Sequence, residues 1–98
     1  MTQYRQGDLL FVRQETWPGE SLTLRPGHVI VAGEATSHAH RLQSGSIWEA
    51  PDGSRYLEIS HTTQVLHEEH SLITLDPGLW LVLRQREYTP EAIRTIAD

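Results

Sequence analysis

Four of the six histidines in this 98-residue chain fall in two short groups, His38-Ala39-His40 and His67-Glu68-Glu69-His70. Side chains on an extended strand alternate between faces, so an i, i+2 pair such as His38 and His40 points to one side and reaches one ion; a helix would turn the two rings apart. The second pair is spaced i, i+3 and would face opposite ways on one flat strand. Thr63–Leu66 and Ser71–Leu75 both read as strands, however, so Glu68-Glu69 reads as a tight connection with His67 and His70 opposite one another at its base. A single helical turn would also join them. Glu-Glu lacks the φ > 0 residues that two-residue hairpin loops prefer, which leaves the backbone there open.

At this histidine content roughly 0.4 pairs are expected by chance at any one spacing. Either pair alone is therefore weak, and the two together carry the expectation of a cluster. Three or four neutral imidazoles, joined by Glu68 or Glu69, suit a divalent Zn, Fe, Ni or Mn ion. The chain has no cysteine, which excludes disulfides, thiolate ligands and a thiol nucleophile. Four imidazoles would close a structural site, whereas three with an open position would lower the pKa of bound water, with Glu68 or Glu69 beside it as a general base. The plain readings are a hydrogen-bonded histidine patch and a solvated acidic turn, and a metal-free catalytic site is a further one. Thr36 and Ser37 would orient ligands or simply satisfy a turn. His28 and His61, beside a turn and a strand end, are left outside the cluster. Arg41 would bind an anion or serve as the outward partner of an inward residue, and structural pairing is the expected role of Arg84, Arg86, Glu87 and Tyr88. There is no G-x-S-x-G elbow and no Gly-rich phosphate loop.

The elements that must position these residues are mostly strands. Asp8–Arg13, His28–Gly33, Ser46–Glu49, Arg55–Ser60, Thr63–His67, Leu72–Leu75 and Leu79–Arg86 are short, rich in aliphatic and aromatic residues, and bounded by turns. Trp17-Pro18-Gly19, Arg25-Pro26-Gly27, Pro51-Asp52-Gly53 and Asp76-Pro77-Gly78 supply the reversals. Leu79-Trp80-Leu81-Val82-Leu83 is apolar throughout and reads as the centre of the fold, with Trp80 in the core. The one helix signal is terminal: Thr89 caps, Pro90 takes the first position, and Ala92, Ile93, Ile96 and Ala97 form an apolar face. The fold expected is a small single-domain β-barrel or sandwich over residues 1–98 with a short C-terminal helix.

A formal charge of −5 disfavours a nucleic-acid partner. No apolar run approaches the roughly 20 residues of a membrane helix, and Met1–Asp8 lacks a signal-peptide core, so a cytoplasmic protein is expected. Exposed strand edges suggest a homodimer. A small-molecule ligand enters if the site is catalytic.

Two resemblances follow from these motifs. The HxH of Gly33-Glu34-Ala35-Thr36-Ser37-His38-Ala39-His40, with Pro77-Gly78 later, resembles a cupin. That resemblance implies a small β-barrel holding a divalent metal, with His38 and His40 as the paired ligands of the first motif. The glutamate that usually follows and a histidine after Pro77-Gly78 are missing, so His67 and His70 would substitute. More fully, the chain resembles a group of short bacterial proteins of unassigned function. They share a pattern similar to Tyr4-Arg5-Gln6-Gly7-Asp8, Gly33 to Arg41, His67-Glu68-Glu69-His70 and Gln85-Arg86-Glu87-Tyr88, with Ser37 here in place of a glycine. Three functions stand at this point: a metal-binding β-barrel protein, a metal-dependent hydrolase or oxygenase, and a protein-interaction module with a metal-free histidine patch.

Overall fold

The structure is a computed structural model that describes residues 2–32 and 38–84. Ten strands follow in order: β1 (Gln3–Gln6), β2 (Leu9–Gln14), β3 (Thr23–Arg25), β4 (Val29–Ala32), β5 (Ala39–Leu42), β6 (Ser46–Glu49), β7 (Arg55–Ile59), β8 (Thr63–Leu66), β9 (Ile73–Leu75) and β10 (Gly78–Arg84). They form a six-stranded sheet, β1-β2-β10-β7-β6-β3, and a four-stranded sheet, β4-β5-β8-β9, with every pairing antiparallel.

Alternation along each strand aims one set of side chains between the sheets. Leu9, Phe11, Ile47, Leu57, Ile59, Trp80 and Val82 from the larger sheet meet Ile30, Leu42, Val65 and Leu75 from the smaller in one buried cluster. Trp80 is fully buried, and its indole N–H donates to the Asp76 carbonyl at 3.0 Å, so the largest side chain of the core leaves no orphan donor. Polar ties cross the same space: Arg55 on β7 donates to the Ile30 carbonyl on β4. On the opposite face of the larger sheet Tyr56, Leu79 and Ala50 gather a second apolar cluster with Trp48, and Trp17 stands edge-on to Trp48 at 5.9 Å.

Seven expected strands correspond to observed ones within a few residues at each end. An eighth, β5, is the strand on which the His38-Ala39-His40 spacing set its pair, and the remaining two, β1 and β3, were not expected, because Gln3–Gln6 and Thr23–Arg25 are mostly exposed sheet-edge strands with no run of apolar residues to mark them. The architecture corrects the closed-barrel alternative: among the described residues the two sheets do not join into one, β1 and β3 being the edge strands of one and β4 and β9 of the other, and what closes the core is face-to-face packing. The expected C-terminal helix, together with Arg86, Glu87 and Tyr88, lies outside the described residues, as do Thr36 and Ser37. Among the described residues no helix is long and apolar enough to cross a membrane.

Candidate metal centre

The two histidine groups come together where the β1–β2 hairpin meets β5 and the connection between β8 and β9. Ring centroids stand 4.4 Å apart for His40 and His67, 4.5 Å for His67 and His70, 5.7 Å for His38 and His67, and 6.2 Å for His40 and His70. All four residues expected in the cluster are in it. Strand β5 begins at Ala39, so His38 precedes the strand while His40 lies on it; both still reach His67. The link between β8 and β9 runs over residues 67–72 and is no two-residue hairpin loop. His67 itself folds it, because its Nδ1 accepts the backbone N–H of Glu69 at 3.0 Å and of His70 at 3.3 Å.

His40 is held differently. It is 6% exposed, and its Nδ1 lies 2.8 Å from the side-chain oxygen of Gln6. The Gln6 amide nitrogen donates to the carbonyls of Val65 and Ser71, both at 2.9 Å, which leaves the amide oxygen as the acceptor facing the ring. This network assigns the tautomer: His40 carries its proton on Nδ1 and presents an unprotonated Nε2. Burial, followed by the neighbouring His67, lowers its pKa from 6.5 to about 4, so the ring is neutral at pH 7. By the same reasoning neutral His67, accepting at Nδ1, carries its proton on Nε2.

The His40 Nε2 faces Asp8, whose Oδ1 is 3.5 Å away. The other Asp8 oxygen accepts from Arg84 Nε at 3.1 Å. Partial burial works against the Asp8 charge, but the Arg84 guanidinium outweighs it and holds the carboxyl below its usual range. Asp8 is placed by the two-residue loop Gly7-Asp8. Gly7 has φ 61° and Asp8 has no positive φ, the pattern of a type II′ hairpin turn with glycine at its first central position. Glycine is needed there twice over, since a Cβ would also stand 2.6 Å from His70 Nε2 and 3.4 Å from His40 Cε1.

The acidic pair between His67 and His70 divides. Glu68 accepts the Ala39 backbone N–H at 2.9 Å and pairs with Arg41, and these two partners, in that order, lower its pKa to about 2. A carboxylate so well satisfied is a weak base, and Arg41 is its outward partner. Glu69 reaches His38, Oε2 to Nδ1, at 3.6 Å. His28 and His61 are exposed. Gln6, Gly7 and Asp8 were not singled out from sequence as site residues. Glutamine at a strand end gives no signal that it is buried, and the only hint was that the segment Tyr4–Asp8 stood among those carrying the resemblance to short bacterial proteins. Among the described residues, no three His, Asp or Glu side chains are arranged to hold one ion as they stand.

The fold and site define a small two-sheet β protein with a polyhistidine cluster at one seam of its sandwich. The chain belongs to the family described as a domain of unknown function, DUF8820, whose model matches residues 5–85 and so covers both the histidine groups and the Gln6-Gly7-Asp8 turn. No curated protein and no solved structure matches it.

Proposed function

We propose that this protein binds one divalent first-row metal ion at the cluster around His40. The observation that carries the reading is the buried His40 ring, whose Nδ1–H is fixed by Gln6 so that a neutral Nε2 lone pair faces the cluster. Ligating histidines characteristically donate their second ring N–H in this way, which fixes the tautomer and strengthens the ligand. The spacing of the rings agrees. With metal–nitrogen bonds of about 2.1 Å, centroids of two imidazoles on one ion stand about 4.5–6.4 Å apart between right-angle and opposite positions. The separation of His40 and His70, 6.2 Å, lies within that range. Ion binding needs a further ring to turn toward His40, and the exposed His70, packed on the Gly7 backbone, has the freedom to do so.

Nitrogen and oxygen donors without thiolate favour Zn, Fe, Ni or Mn over a soft ion such as Cu(I). The likeness to cupins enters only as an analogy of ligand chemistry, since a shared pattern does not carry a function. The test is metal content by mass spectrometry of untagged protein, followed by calorimetric titration with Zn(II) and Ni(II). Near-stoichiometric binding that His40→Ala abolishes is expected. A wild type that purifies metal-free and takes up neither ion would leave the histidines as a hydrogen-bonded patch.

A further inference from the structure

The site as read from sequence held four histidines and no role for the β1–β2 hairpin. Resting on the metal-binding reading above, we infer that Asp8 is a direct ligand of the ion beside His40, and that His67 is not a ligand but the residue that shapes the β8–β9 connection.

Two lone pairs face one another across the 3.5 Å between His40 Nε2 and Asp8 Oδ1. That distance exceeds the roughly 2.7–3.2 Å of an N–H···O bond, and the tautomer set by Gln6 puts no proton on Nε2 to donate. It is too short for a bridging water, which holds its two partners about 4.5 Å apart. An ion bonded to both at about 2.1 Å with a tetrahedral angle separates them by about 3.4 Å. The gap is therefore the size a metal ion makes, and it lies between an anionic oxygen and a neutral nitrogen, the charge pattern that attracts a cation. Arg84, on the far carboxylate oxygen, and Gln6, on the far ring nitrogen, hold the two donors in aim from outside.

His67 has the opposite arrangement. Its Nδ1 accepts two backbone N–H groups, so in the neutral ring the proton sits on Nε2, the nitrogen with which it would otherwise bind. Ligation by His67 would need either an imidazolate or release of the turn. His70 Nε2 lies beside Gly7, the residue before Asp8, and its ring, 6.2 Å from that of His40 and within 12° of parallel to it, is the one that turns in to supply the third donor. The ligand set is thus His40, Asp8 and His70, two imidazoles and one carboxylate with positions left over for solvent.

The experiment is Zn(II) titration of the full chain, comparing wild type with Asp8→Asn and His67→Asn. Asparagine at residue 67 keeps a side-chain acceptor for the same backbone N–H groups, as in an Asx turn. Asp8→Asn is expected to weaken binding at least tenfold and His67→Asn to change it less than threefold. In the wild type, which needs no variant to fold, the Asp8 carboxyl carbon should shift on Zn(II) saturation by ¹³C NMR. A variant His67→Asn that loses the ion, with Asp8→Asn and the Asp8 carbon unaffected, overturns the inference while the metal-binding reading stands. A wild type that takes up no Zn(II) removes both.

Discussion

His40 and His67 stand 4.4 Å apart, yet they belong to two regions built on opposite terms. One is the seam between β5 and the β1–β2 hairpin, where a buried ring is held through its Nδ1–H and keeps its lone pair for the site. The other is the exposed 67–72 connection, where a ring uses its lone pair to fold its own backbone. The difference teaches that membership of a histidine cluster does not define a ligand; what decides is which ring nitrogen the protein has already engaged.

The largest way to break this contrast is at Gln6, 2% exposed, which joins His40 to the carbonyls of Val65 and Ser71. Gln6→Ala leaves buried partners unsatisfied and should cost on the order of 2–4 kcal/mol in urea denaturation, while also freeing the His40 tautomer. The equivalent loss at the other region, His67→Ala, removes bonds to exposed backbone that water replaces and should cost under about 1 kcal/mol. Equal costs would erase the distinction between the two regions.

Next in size is Gly7→Ala, which combines a positive φ with an approach to His70 Nε2 and should destabilise by roughly 1–3 kcal/mol. Part of that penalty is steric, so it should shrink in a His70→Ala background, and a double-mutant cycle reads the coupling. An additive cycle would place the His70 ring elsewhere.

A pH series sharpens the comparison further. The folded His40 titrates at about 4 against 6.5 when unperturbed, so between these values the unfolded chain binds more protons. The metal-free protein should therefore hold this contribution in full above about pH 6.5 and lose it as pH falls toward about 4. His40→Ala should flatten that slope. The smallest effect concerns Glu68, whose lowered pKa of about 2 gives a contribution present above its ordinary value of 4.5 and lost as pH falls through about 2. Its carboxyl resonance should titrate near 2 and move upward in Arg41→Ala, with little change in overall stability because the pair is exposed and salt-screened.

Sequence pattern made the sheets and the convergence of the histidines legible, because both rest on alternation and turn chemistry. Trp80 lies in the core as its apolar run implied, and His38, His40, His67 and His70 meet although some thirty residues separate the two groups. What stayed hidden depends on long-range pairing. Gln6 and Val65 lie 59 positions apart, and no local pattern marks a glutamine whose amide bridges two sheets. Asp8 reads from sequence as the first residue of a strand, and only the turn geometry of Gly7 shows that it points at His40. The tight Glu68-Glu69 hairpin failed for a local reason: His67 supplies the acceptor that organises a longer connection.

The most direct test of the central claim is long-range ¹H–¹⁵N NMR of the histidine side chains in the metal-free protein at neutral pH. Protonated Nδ1 with unprotonated Nε2 at His40, and the reverse at His67, is the result expected. The same tautomer at both rings would contradict the account, since it would leave nothing to distinguish the imidazole proposed to bind an ion from the one that folds the turn.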